Sequence, residues 1–235
     1  MQRWTLIFVL LLGACSRAPQ PAPTPAIAVE PSVQPSAAPA AATPADDRRV
    51  IVCFGDSLSA GYGVESGLSY PDFLQKELDA KGFKYRVVNL GISGDTTSGG
   101  LSRIQSAVAL HPVITILELG GNDGLRGLPL TETRSNMAQM TQALLDAGSK
   151  VVIAGMTLPP NYGPDYIREF EQIFVELAAK QKLPRIRFLL EGVALNPKLM
   201  QADGIHATAE GNRLVAANVM RTLTPLLKAP APSKK

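Results

Sequence analysis

The sequence predicts a three-layer α/β/α sandwich with a five-stranded parallel sheet in the flavodoxin-like order 2-1-3-4-5. Three observations carry that expectation. Short apolar, β-branched runs recur along the chain, longer helix-like segments separate them, and polar glycine-rich loops close the first three runs. A short apolar run bounded by glycine reads as a buried strand. Strands that alternate with helices pair in parallel, with both faces of the sheet covered. Five such units suit the doubly wound order in which strand one lies inside the sheet.

The expected elements follow in order from Arg48. Strands are read at Val50–Phe54, Tyr85–Leu90, Val113–Leu119, Val151–Met156 and Arg185–Leu190. Helices are read at Tyr70–Ala80, Leu101–Leu110, Thr131–Ala147 and Asp165–Lys180, with a last one from Ala209 to about Leu227. Pro71 suits a first helical turn, and Gly82 and Gly148 stop their helices. No internal repeat interrupts the pattern.

At 235 residues and 46% hydrophobic content the chain supports one good-sized core with an appendage. A net charge of +3, few aromatics and no Lys/Arg block argue against a nucleic-acid surface. The appendage is N-terminal. Arg3 precedes the apolar stretch Trp4–Leu12, too short to span a bilayer, and Gly13 and Ala14 follow, as in a secretory signal. Leu12-Gly13-Ala14-Cys15 resembles the bacterial lipobox, in which the cysteine is lipidated and begins the mature chain. Ordinary cleavage beside an incidental cysteine is the alternative.

Residues 16–47 alternate Pro and Ala with scattered polar residues, a composition that behaves as an extended, semi-stiff spacer. The expected organisation is a lipoprotein signal peptide over 1–14, a lipid-anchored linker over 15–47, a globular domain over 48–228 and a disordered tail over 229–235. It places the protein in the bacterial cell envelope, facing the periplasm. Ser16 after Cys15 leans towards the outer membrane. Cys53, alone in a core strand, reads as a small hydrophobe with no disulfide and no function.

Three polar loops converge on the carboxyl edge of the expected sheet. Gly55-Asp56-Ser57 follows strand one, Gly91-Ile92-Ser93-Gly94-Asp95-Thr96 follows strand two, and Gly120-Gly121-Asn122-Asp123 follows strand three. Open α/β sheets bind ligands at this edge. A serine there becomes a nucleophile only beside a base, and the chain has two histidines. His111 begins strand three on the opposite edge and cannot reach. His206 lies after strand five on the correct edge, and Asp203, three residues earlier, can fold back to hold its tautomer. Other chemistries fit poorly. No Gly-Lys-Ser/Thr follows a strand to grip a phosphate, and one usable histidine without a cysteine cluster is too little for a metal. No cofactor is expected.

In these blocks the chain resembles the SGNH, or GDSL, hydrolase family, and most its subgroup of periplasmic acyl-CoA thioesterases, lysophospholipases and arylesterases. The blocks run Gly55–Gly63, Gly94 within Ile92–Thr96, Gly120–Asp123 and Asp203–His206, with further echoes in Gly124-Leu125-Arg126-Gly127 and Leu158–Gly163. Ala207 departs from the family's frequent proline. The resemblance implies Ser57 as nucleophile, His206 as base and Asp203 as its orienter. It implies an oxyanion hole formed by the backbone N–H groups of Ser57 and Gly94 and the amide of Asn122. The implied substrates are small acyl esters, thioesters or lysophospholipids. Leu125, Leu128, Leu158 and Tyr162 either line an acyl groove or pack their loops, and both readings stand. So do two other functions, a polysaccharide O-deacetylase and a non-catalytic envelope lipoprotein.

Overall fold

The computed structural model describes residues 46–228. The expected signal segment, Cys15, most of the spacer and the tail 229–235 lie outside the described residues. The elements are β1 (Arg49–Gly55), α1 (Ser57–Ala60), α2 (Tyr70–Ala80), β2 (Tyr85–Asn89), α3 (Thr97–Val108), β3 (Ile114–Glu118), α4 (Gly121–Leu125), α5 (Leu130–Asp146), β4 (Lys150–Ala154), α6 (Pro164–Gln181), β5 (Arg185–Ile186) and α7 (Ala209–Leu223). Single 3-10 turns sit at Pro160–Tyr162 and Thr224–Leu226.

The five strands pair in parallel in the order β2-β1-β3-β4-β5, as expected. Alternate strand residues feed two cores, as a sheet covered on both faces requires. Ile51, Cys53, Ile114, Ile116, Val152 and Ala154 pack with α2 and α7. Val52, Phe54, Leu117, Val151 and Ile153 pack with α3, α5 and α6. Cys53 is free and fully buried, and burial pushes its thiol up to about 12.

Three boundaries differ from the sequence reading, each for a local reason. β5 is two residues long rather than six. Beyond Ile186 the backbone turns, and Leu189 and Leu190 are buried as turn residues. Asn218 of α7 holds that turn by donating to the carbonyls of Leu189 and Glu191 at 3.1 and 2.8 Å. α3 starts at Thr97, not Leu101, because Thr96 caps it by accepting from Gly99 N–H at 3.3 Å. Gly99 and Gly100 look like helix breakers, yet a Cβ on Gly100 would lie 2.2 Å from Leu119 Cδ1, so glycine there allows close helix-to-sheet packing. α7 stops at Leu223, with Pro225 in the 3-10 turn that follows.

Both ends of the described domain meet at the amino edge of the sheet. The Tyr85 hydroxyl, at the start of β2, accepts from Arg49 Nη1 at 3.0 Å and from Lys228 N–H at 2.9 Å. Among the described residues no helix is long and apolar enough to cross a membrane.

Candidate active site

Ser57 stands at the first turn beyond β1. Asp56 caps α1 by accepting from Leu58 N–H at 3.0 Å. The turn projects the Ser57 hydroxyl to 2.8 Å from His206 Nε2, and His206 Nδ1 lies 2.6 Å from Asp203 Oδ2. An imidazole that gives its Nδ1 proton to Asp203 keeps Nε2 free to accept from the serine.

The loop between Met200 and Ala207 carries both partners. A bridge pairs Met200 with Ala207, and Gln201 N–H donates to His206 O at 2.8 Å. Within the loop, Asp203 Oδ1 accepts from Ile205 and His206 N–H at 2.9 and 3.0 Å. Partial burial pushes the Asp203 carboxyl up, but the hydrogen bonds from the His206 backbone and ring and from Ile205 outweigh it and hold the group at about 2. Gln201 Nε2 donates to Tyr62 O at 2.7 Å, joining this loop to the serine turn. The Tyr62 ring sits 4.5 Å from the imidazole, centroid to centroid.

The expected oxyanion donors belong to the loops beside the serine turn, where Asn122 bonds Asp56 and Arg126 links Gly94 to Asn122. The N–H groups of Ser57 and Gly94 find no acceptor among the described residues. Gly94 adopts φ +80°, a conformation that glycine takes without strain. Asn122 Nδ2 donates to Asp56 Oδ2 at 3.1 Å and to Asp95 O at 3.0 Å. An incoming oxyanion would take over one of those protons. Arg126 Nη2 steadies the pair, reaching Gly94 O at 2.9 Å and Asn122 Oδ1 at 3.4 Å. His111 begins the β3 side at the opposite edge, as expected, and takes no part.

A cleft of about 550 Å³ opens beside Ser57. Leu125 and Leu158 line it, as one of the two sequence readings had them. Leu128 and Tyr162 are not among its lining residues. Leu128 is exposed, and the Tyr162 hydroxyl donates to Leu125 O at 2.7 Å, which packs the loop. The far wall comes from the turn-rich segment after β5, including Phe188, Ala194, Leu195 and Met200. Sequence reading missed this wall because it treated Arg185–Leu190 as a strand and assigned nothing to residues 191–202.

Two supporting residues were also missed. Arg103 of α3 pairs with Asp95 at 2.7 Å and donates to Gly55 O at 2.9 Å and Leu90 O at 2.8 Å, tying together the ends of β1 and β2. Asp123 accepts from Thr97 N–H at 2.9 Å and Thr133 Oγ1 at 3.2 Å, tying α4 to α3 and α5. Asp123 was visible in its motif but without a role. A single arginine inside a helix gave no signal for Arg103.

A parallel sheet carrying a serine, an imidazole and a carboxylate in line at one edge defines the class of serine acyl hydrolases. The chain belongs to the GDSL-like lipase/acylhydrolase family, whose model it matches over residues 53–214. It is 43% identical over 180 residues to the esterase TesA of Pseudomonas aeruginosa, covering 76% of this chain and 90% of that one. To the thioesterase 1/protease 1/lysophospholipase L1 of Escherichia coli K12 it is 36% identical over 178 residues, 75% of this chain and 84% of the relative. A crystal structure of TesA superposes with a TM-score of 0.74 at 43% identity, covering 76% of this chain and all of the other. The psychrotrophic esterase EstA of Pseudoalteromonas, solved with monoethylphosphonate as inhibitor, gives 0.72 at 28% identity over 76% and 98% of the two chains.

Proposed function

We propose that the chain hydrolyses carboxylic esters and thioesters of apolar acyl groups through an acyl-enzyme on Ser57. The observation that carries this is the unbroken line from Ser57 Oγ through His206 to Asp203, at 2.8 and 2.6 Å. In the first step His206 Nε2 takes the serine proton as Oγ attacks the acyl carbon. The imidazolium then gives that proton to the leaving alcohol or thiol, and water repeats the sequence on the acyl-enzyme. Asp203 orients the ring and offsets its transient charge. The Ser57 and Gly94 N–H groups and the Asn122 amide receive the oxyanion.

The cleft favours an acyl chain over a sugar. Its walls are mostly leucine, isoleucine, methionine, phenylalanine and proline side chains, with Thr157 a polar group away from the catalytic residues. Such a lining offers little to bind a polysaccharide, so O-deacetylation is the weaker reading. The relatives named for esterase, thioesterase and lysophospholipase activity point the same way. The N-terminal sequence supports export and a lipid anchor at Cys15, with the domain working in the cell envelope.

Ser57→Ala is expected to abolish hydrolysis of a short p-nitrophenyl ester and labelling by a fluorophosphonate probe. An undiminished rate in the purified variant would reject Ser57 as the nucleophile.

A further inference from the structure

One buried titratable group beneath the site has no part in that scheme. Glu118 ends β3, in register with Gly55, and is fully buried. Its Oε2 accepts three hydrogen bonds, from Asp56 N–H and Ser59 N–H at 3.1 Å each and from Ser59 Oγ at 2.7 Å. The Ser59 hydroxyl in turn meets Tyr70 OH at 2.9 Å. A Cβ on Gly55 would lie 2.2 Å from that same Oε2, so only glycine lets the carboxyl slide under the serine turn. Glu118 Oε1 is enclosed by protein and receives no donor among the described residues.

The Asp56 carboxyl is the neighbour of Glu118: Glu118 Oε2 holds the Asp56 N–H at 3.1 Å, both carboxyls are buried, and each acts on the charge of the other. Both Asp56 oxygens already have donors, Oδ1 from Leu58 N–H and Oδ2 from Asn122 Nδ2. Of the four carboxyl oxygens in the pair, only Glu118 Oε1 lacks one. Two neighbouring carboxylates in a dry interior do not both ionise, because desolvation and mutual repulsion act together. Burial pushes both groups above the usual carboxylate range, Glu118 the further. The donors divide between the two groups. Leu58 N–H and Asn122 favour a charge on Asp56. The Ser59 hydroxyl and the Asp56 N–H favour one on Glu118 but reach only its Oε2, leaving Oε1 to carry a proton. His206 favours a charge on Asp56, while Asp56 itself disfavours one on Glu118. The guanidinium of Arg103 is committed to Asp95 and to backbone carbonyls.

We propose that Glu118 is a neutral carboxylic acid whose Oε1 hydroxyl donates to the Asp56 carboxylate, and that this shared proton positions the oxyanion-hole amide of Asn122. The pair then carries one negative charge behind the nucleophile. Asp56 holds the Asn122 amide, and Glu118 holds both Asp56 and the backbone of the serine turn. Glu118 is a positioning residue, acting on the reaction through its neighbours. Its kinetic role rests on the site reading above, whereas its protonation does not.

Infrared spectroscopy of the purified protein at neutral pH separates the two. A deuterium-sensitive carbonyl stretch of a protonated carboxylic acid is expected in the wild type and in Ser57→Ala, and is expected to vanish in Glu118→Gln. Glutamine replaces the hydroxyl by an amide N–H and keeps an oxygen for the turn, so Glu118→Gln should retain kcat to within about tenfold. Glu118→Ala should lose kcat on the order of 10²-fold with little change in KM, the size of a misplaced oxyanion donor. If Glu118→Ala folds poorly, the infrared band and Glu118→Gln decide the matter. Absence of the band, its survival in Glu118→Gln, or a glutamine variant as damaged as the alanine one would overturn the proposal. A fully active Ser57→Ala would reject the site reading and leave the protonation test standing.

Discussion

Asn122 shows at the scale of one residue how a binding group and a catalytic group differ. Both of its amide protons are engaged in the resting site, by Asp56 and by Asp95 O. In the proposed role its contribution arises when an oxyanion appears and takes one over. Asn122→Ala is expected to lower kcat by about 10²–10³-fold with KM little changed, and steady-state kinetics on a soluble ester would show the split. Asp203 carries a pH dependence of definite sign. Its folded value of about 2 lies below the ordinary 3.8, so its stabilisation is complete above 3.8 and is lost as pH falls towards 2. Asp203→Asn should show a smaller drop in urea midpoint than the wild type across that window. The legible residues were those whose chemistry is specific. One eligible histidine and an acid three positions earlier pointed to Ser57 from sequence alone. Glu118 and Arg103 were illegible because an acid closing a strand and an arginine within a helix are ordinary surface residues until the fold buries them.

Elements were read well where period and punctuation agreed. α2 matches its expected bounds, with Ser69 and Asp72 forming a reciprocal cap and Pro71 in the first turn. The reading failed where burial and backbone geometry part company. Leu189 and Leu190 are buried, which a sequence pattern takes for strand, but Leu190 O accepts from Val193 and Ala194 N–H as in a turn. Leu189 keeps one bond to the sheet edge, from its N–H to Gly155 O at 2.9 Å. α1 and α4 are too short to leave a helical period. The segment after β5 also holds Leu195 at φ +65°, 88% exposed, at the lip of the cleft. A leucine in the left-handed region is strained by about 1–2 kcal/mol, and one so exposed gains little burial in return. Its place in the cleft lining offers a substrate chain an apolar contact. Leu195→Asn, with a residue that tolerates this backbone, should leave the thermal midpoint undiminished. It should raise KM for long-chain p-nitrophenyl esters and leave KM for the acetate ester unchanged. Equal effects on both esters would remove Leu195 from the acyl path.

For the whole molecule, topology was the most legible property of all. In a parallel sheet every strand end of one kind shares an edge, so fixing the alternation of elements placed the loops after β1, β2 and β3 and the loop before α7 around one crevice. The cleft's size and far wall were not legible, since they depend on how a turn folds back over the sheet. The proposed lipid anchor also belongs to this scale. Cys15→Ser is expected to move the protein from the membrane fraction to the soluble fraction of a bacterial lysate while its rate on a soluble ester stays the same. An unchanged distribution would reject the anchor. Tyr85 gives that tether a direction. Because its hydroxyl gathers Arg49 and Lys228, the chain enters and leaves the domain on the side opposite Ser57. A tether at either end would therefore leave the edge that carries Ser57 free.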